Sequence, residues 1–406
     1  MTQPTLKNFS RDLQNLTGTL MLFPDQKLKI INQYLWPTLI YPLQCAPLNK
    51  LPMKFLEDLD KIVKRLVKEI LGIPMDTPNA FLYTSKKFRG LQIVRATWEA
   101  FIQHYNICTV LLRSNCMYLP FARDIATEMT NCLTQLELSE PLLTEEFKAS
   151  SSTKPGQVLR QKLQKDSFTS WCSLSQKGMG VELYAEYQKG NKLIVNKESL
   201  TSSEWISAMK MSANVYPVRS IPGRSSDGPQ CRYCDERETL SHVLGRCHRG
   251  DLLRNSRHHE IRSIIANGLR NVKINGRPLW AVHEEVHCVA EGGSNRRVDI
   301  LCYNKSKTGY ILDPTIRFEQ NCDQAKEVDA EKKAIYNPCI PYFLEKYSLK
   351  KIEVIGLLVG ARGTITLFLE DFCKRFQLPN TLIKDIIVAT LRGSNRIAHN
   401  HLYNNS

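Results

Sequence analysis

The residues able to do chemistry lie mostly in the second half of the chain. Arg297-Val298-Asp299-Ile300-Leu301 and Tyr310-Ile311-Leu312-Asp313 each set one carboxylate within or at the end of an otherwise apolar run. A carboxylate there is costly to bury unless a metal or a proton compensates it. Paired as a hairpin, the two runs would bring Asp299 and Asp313 to one edge, where hard oxygen ligands suit Mg²⁺. A helix over roughly Cys322 to Tyr336 is expected next; Lys332 and Tyr336, four residues apart, share one of its faces and could point back at that edge. The chemistry this would support is phosphodiester hydrolysis. Carboxylates would hold Mg²⁺, the metal would polarise the phosphate and acidify its water, and Lys332 would orient the water or stabilise the developing charge. Spacing alone fits strand-end or turn aspartates equally well.

A second constellation is more specific. Cys231-x2-Cys234-x7-His242-x4-Cys247 has the ligand types and spacing of a structural zinc site: two thiolates on a tight turn, then a His and a Cys to close the tetrahedron. His248, adjacent to Cys247, is an alternative ligand. With all four positions filled such a zinc would hold a small module together and would not be catalytic. Eight basic residues against two acidic ones follow between Arg246 and Arg277. Arg254, Arg257, His258 and His259 could sit on one helix face and grip phosphate, with Arg249 a further candidate, against the alternative of a merely solvated helix.

The remaining sequence must supply the scaffold. At 406 residues the length suggests two or three domains. Hydrophobic content of 42% and charged content of 23% are ordinary for globular protein, which argues against wholesale disorder. The net charge of +15 and a pI near 9.2 favour a polyanionic partner. Thirteen scattered cysteines without a secretory leader fit reduced thiols and a metal site better than a disulfide framework, and imply an intracellular protein. No stretch reads as a membrane span; the most apolar one, Ile352 to Leu369, is interrupted by Arg362 and three glycines and reads as buried strand.

Phe55, Leu56, Leu59, Ile62, Val63, Leu66, Val67 and Ile70 recur at helical spacing, with Lys54, Glu57, Asp58, Lys61, Lys64, Arg65 and Lys68 on the other face, and Gly72 and Pro74 stop the helix. Polar Ser/Pro/Gly runs at 148–156 and 222–229 mark candidate boundaries. From about residue 285 short apolar strands alternate with helices, with strands expected near 285–290, 296–303, 309–316 and 351–366. The expected fold is therefore multidomain: an N-terminal α-helical bundle, a small zinc module and a C-terminal α/β domain.

The order of these segments resembles the C-terminal part of a site-specific non-LTR retrotransposon Pol polyprotein, of the type-1 clade that inserts into ribosomal RNA genes. Asp76-Thr77-Pro78-Asn79-Ala80 and Arg89-Gly90-Leu91-Gln92-Ile93 resemble the thumb that follows a reverse transcriptase palm. The stretch from Ala208 to Arg219 is similar to the linker ahead of the zinc cluster, and Leu391-Arg392-Gly393-Ser394 to a C-terminal signature. The resemblance implies a thumb-like region at 1–148, a linker at 149–228, a CCHC zinc module at 229–280 and a PD-(D/E)XK, restriction-like endonuclease at 281–406. It further implies Asp299 and Asp313 as the acidic positions, Lys332 as the basic position displaced onto a helix, Tyr336 beside it, and Arg297 as the basic residue ahead of the first acid. Zinc ligands carry over to Cys231, Cys234, His242 and Cys247. Val298 stands where the family has Pro, and Arg-Gly-Leu-Gln where it has Gly-Gly-Leu-Gly; Lys333 and Glu319 are alternatives for roles given to their neighbours. No Tyr/Phe-x-Asp-Asp motif occurs, so DNA synthesis is not expected of this chain, which reads as a part lacking the palm. The implied function is Mg²⁺-dependent nicking of a DNA target in the nucleus, with element RNA as a further ligand. The alternative is an inactive, zinc-stabilised nucleic-acid-binding remnant.

Overall fold

A computed structural model describes residues 3–45, 53–113, 120 and 155–403. The chain divides into two compact units: Met1–Lys86 with Gly90–Ser173, and Lys87–Arg89 with Leu174–Ser406. The candidate boundary at 148–154 lies outside the described residues. Helix, a four-stranded mixed sheet and a Cys/His cluster are all present, and among the described residues no helix is long and apolar enough to cross a membrane.

The first unit is helical where it is described: α1 Gln3–Gly18, α2 Pro24–Ile30, α3 Trp36–Cys45, α4 Met53–Ile70, α5 Asn79–Tyr83, α6 Ala96–Arg113 and α7 Pro155–Cys172. The amphipathic run is α4, and it ends at Gly72, whose φ of +54° only glycine adopts cheaply. Two charges on α4 depart from the amphipathic pattern. Lys68, expected on the solvent face, is buried; its Nζ donates to the carbonyls of Met75 and Thr77 and to Asn79 Oδ1, tying down the turn that follows. Asp60 is buried too, and accepts from the backbone N–H groups of Ala96 and Thr97, satisfying donors at the start of α6.

The second unit begins with α8 Leu183–Glu186, α9 Asn191–Val195 and α10 Ser202–Ser212. The expected linker is thus largely folded into this unit. Helices α11 Leu240–Gly245 and α12 Asp251–Asn271 follow, and a two-residue ribbon (β1 Lys273–Ile274, β2 Arg277–Pro278) leads into the sheet. Its strands are β3 Ala281–Val289, β4 Asn295–Tyr303, β5 Thr308–Arg317 and β6 Lys351–Gly360, in that spatial order. The first three are antiparallel neighbours; β6 is parallel to β5, reached through α13 Gln324–Tyr336 and α14 Ile340–Lys346. The last strand stops at Gly360, before Arg362: this arginine is fully buried against Glu319 (3.0 Å), so the chain turns there instead of continuing to 366. Helices α15 Leu367–Arg375 and α16 Asn380–Tyr403 complete the unit.

Strand β6, at the edge of the sheet beside β5, reads as a near-continuous apolar run because it is buried along almost its whole length. The C-terminal Leu391–Ser394 stretch has a packing reason. A Cβ on Gly393 would stand 2.6 Å from Arg257 Cγ, so only glycine lets α16 lie this close to α12. Ser394 Oγ then accepts from Arg257 Nη1 (2.8 Å) and donates to the Ala361 carbonyl (2.6 Å).

Candidate metal centres and active site

The register of the sheet explains how the two aspartates meet. Strands β4 and β5 pair only from Ile300↔Leu312 to Tyr303↔Gly309, then diverge: β4 continues along β3 to Asn295, and β5 along β6 to Arg317. Asp299 and Asp313 are the first residues past the last pair, facing each other where the sheet forks. On the other side of β4, the pairing with β3 also lapses at Asp299. Glu285, which would oppose it, has φ +53°, a conformation costly for a residue with a Cβ. Asp299 is therefore free of ladder pairing on both sides.

Helices close on this fork. From α13, Lys332 Nζ lies 3.1 Å from Asp313 Oδ1 and Tyr336 Oη donates to Asp313 Oδ2 at 3.0 Å. Thr315, two residues along β5, donates to Asp313 Oδ1 at 3.0 Å. From α12, His258 Nε2 lies 3.0 Å from Asp299 Oδ2. One donor atom each of His258, Asp299 and Asp313 lie within 4.8 Å of one another. Asp313 is only 2% exposed; burial, with the Asp299 carboxylate beside it, pushes its pKa up, and Lys332 opposes that rise. Tyr336 is likewise held protonated by burial and by Asp313, which makes it a permanent donor. A pair of carboxylates, one buried and one half-buried, with a lysine at hydrogen-bond distance is suited to a divalent cation.

Of the alternatives weighed in sequence, Lys333 is paired with Asp329 Oδ2 at 2.6 Å and Glu319 is locked to Arg362; neither faces the carboxylate pair.

The cysteine cluster is built differently. Cys231 N–H donates to the Glu236 carbonyl (2.8 Å), closing the turn that carries Cys231 and Cys234. The Thr239 hydroxyl accepts from His242 N–H at the start of α11. Cys231 and Cys247 sulfurs are 3.8 Å apart and Cys234 Sγ is 3.3 Å from His242 Nε2; all four donor atoms lie within 4.8 Å of one another. Metal–sulfur bonds of about 2.3 Å and metal–nitrogen bonds of about 2.0 Å in a tetrahedron demand edges of about 3.8 and 3.5 Å. The donor set therefore fits zinc. His248 is exposed and stands outside the set.

Behind the cluster lies a layer the sequence did not reveal. His401 Nε2, on the last turn of α16, is 3.1 Å from Glu238 Oε2 and 3.6 Å from Cys231 Sγ. The Glu238 carboxylate can only accept, so this nitrogen carries the proton. Glu238 also accepts from the backbone N–H groups of Arg219 and Arg232, and these bonds together with His401 hold its carboxyl below the usual range against the cost of burial. Glu238 could have been suspected from its place between Cys234 and His242; His401, 170 residues from Cys231, carries no local signal.

The expected phosphate-gripping face is altered. Arg257 is 3% exposed and bonded to Ser394 and the Leu244 carbonyl, so its guanidinium supports the fold instead of facing solvent. Arg254 turns back to the Cys247 carbonyl and to Asp251. Arg249 lies over the Tyr233 ring, 5.1 Å from its centroid. His258 belongs to the sheet fork. The cause is helical geometry: Arg254, Arg257 and His258 lie on the face of α12 that packs inward. Arg297 remains exposed at the rim, 3.4 Å from Glu285.

No protein-family model matches the chain. Three curated sequences described as retrovirus-related Pol polyproteins from the type-1 retrotransposable element R2 of Popillia japonica are 25%, 24% and 23% identical, over 84%, 78% and 98% of this chain. The chain spans 67%, 40% and 62% of their respective lengths. A Pol polyprotein from the type-2 retrotransposable element R2DM of Drosophila melanogaster is 26% identical over 63% of this chain and 23% of its own length. Most of this chain is thus related in sequence to part of the Pol polyproteins of R2-type retrotransposable elements.

Proposed function

We propose that this chain is a DNA endonuclease of an R2-type retrotransposable element, nicking a target strand by cation-dependent phosphodiester hydrolysis to leave a 3′ hydroxyl. The relationship to Pol polyproteins supports a nucleic-acid-processing role in general. The observation that carries the specific reading is the convergence of Asp299, Asp313, Lys332 and Tyr336 at the fork of one sheet.

Asp299 and Asp313 would hold Mg²⁺, which when bound supplies Lewis acidity to the scissile phosphate and to a water. Lys332, beside Asp313, places a positive charge where negative charge grows on the phosphate oxygens and orients the attacking water. Tyr336 and Thr315 fix the Asp313 carboxylate through opposite oxygens, so its remaining lone pairs keep one direction. The zinc cluster is the structural centre, and Arg297 at the rim would meet backbone phosphate. The partners of this reading are duplex DNA and element RNA, and its setting is the nucleus.

A supercoiled-plasmid nicking assay tests it. Wild-type protein with Mg²⁺ is expected to convert supercoiled to open-circular DNA, and Asp313→Ala and Lys332→Ala to lose that activity. Retained DNA binding with no nicking by the wild type would favour a nucleic-acid-binding remnant instead.

A further inference from the structure

We infer that His258 is a third ligand of the cation site at the sheet fork, and that it tunes this site toward a first-row transition ion of the Mn²⁺ type over Mg²⁺. The inference rests on the cation site proposed above and adds the residue that sets its selectivity. Three separate elements deliver the donors: Asp299 from β4, Asp313 from β5 and His258 from α12, with one atom of each within a 4.8 Å span. The imidazole approaches through Nε2, the atom that faces Asp299 Oδ2.

The surrounding charges leave this nitrogen as the ligand facing the pair. The adjacent imidazole of His259 looks away, 3.7 Å from Glu285, and Arg262 and Arg297 are both engaged by Glu285 as well. Lys332 lies on the opposite flank at Asp313. A cation between the carboxylates would thus meet two oxygens and one aromatic nitrogen. Mg²⁺ favours oxygen and water at near-ideal octahedral geometry, whereas imidazole is a borderline ligand that gains affinity along the transition series. Asp299 is freed from strand pairing on both sides, which gives the carboxylate room to share a metal with the helix-borne ring. The bland alternative, a simple His258–Asp299 hydrogen bond with no metal role, predicts no metal-specific effect.

The test uses the full, zinc-loaded chain and reads bound Mn²⁺ by electron paramagnetic resonance, with Mg²⁺ as competitor. Asp313→Ala is the control for the site itself. Wild type should bind Mn²⁺ in a manner that Asp313→Ala abolishes. His258→Ala should weaken Mn²⁺ by about tenfold or more while changing the competing Mg²⁺ affinity far less, and His258→Asp should shift the ratio toward Mg²⁺. Circular dichroism and zinc content identical to wild type show that the variants fold. If Mn²⁺ and Mg²⁺ weaken equally in His258→Ala, or neither weakens, the ligand role is overturned while the cation site stands. If Asp313→Ala removes no bound Mn²⁺, the cation site falls and the inference with it.

Discussion

At the cysteine cluster four donors close around a single point, and a carboxylate and a histidine stand behind them to fix one sulfur. At the fork of the sheet two carboxylates face each other with a lysine, a tyrosine and a histidine around them and, among the described residues, no fourth strong ligand to complete a shell. Both lie in the same folded unit and both use buried polar groups, yet they answer the cost of burial in opposite ways. A closed tetrahedron spends its ligands on holding chain segments together, which is what a structural ion needs. An open acidic pair held in place by hydrogen bonds keeps coordination positions for substrate and water. Burial has a different consequence in each: Glu238 is stabilised as an anion by three hydrogen-bond donors, whereas the Asp313 carboxylate is disfavoured by burial and by its neighbour Asp299. Poorly compensated charge is the mark of a site shaped for a ligand it does not itself supply.

The largest effect expected is on catalysis at the open site. Asp313→Ala should lower nicking by on the order of 10³-fold or more, with zinc content unchanged; a variant losing both would mean the two sites are not separable. Next is the closed site. Cys247→Ala should lose the zinc and cost several kcal/mol of stability in urea unfolding, since structural zinc binding is folding free energy. Arg257→Ala comes third: it strands Ser394 and the Leu244 carbonyl inside the unit and should destabilise by about 2–4 kcal/mol, with the salt slope of DNA binding unaltered. A flattened slope with normal stability would return this arginine to the DNA face. His401→Ala should weaken zinc by about 10–100-fold in competition with a chelating dye, as loss of a supporting layer does. Smallest is Arg297→Ala, half-exposed at the rim, which should reduce the salt slope by about one and leave stability alone.

What was legible in the sequence were the features whose cause is local. The helical spacing of Leu56, Leu59, Val63 and Leu66 marks one face of one helix and needs no partner to be read. The four zinc ligands lie within 17 residues and share the turns that carry them. Strands β4 to β6 announce themselves as runs with an apolar centre, whereas β3, carrying His283, Glu284, Glu285 and His287, begins at Ala281, ahead of the strand expected at 285–290. Illegible features depend on residues far apart. Lys68 looks like a member of a solvated face until the turn at 75–79 is placed beside it, and the role of Asp60 shows only once the start of α6 is in place. Arg257 and His258 look like a phosphate grip because a charge count has no inside; which face of α12 is inward is decided by α16 and the sheet, and Gly393 carries the only local trace of that contact. Aspartates with this spacing are common. What sets this pair apart is the point at which β4 and β5 cease to pair, and that is a property of the sheet.

The contrast between a closed structural centre and the open, proposed catalytic one is tested most directly by following both metals in one sample. Protein carrying one zinc per chain is stripped only of loosely held cations, and plasmid nicking and zinc content are then measured as Mg²⁺ or Mn²⁺ is added back. The account predicts that nicking disappears and returns with the added cation while zinc stays bound throughout, and that Asp313→Ala remains silent at every concentration. Nicking that persists without the added cation, or that follows the zinc content instead, would contradict it.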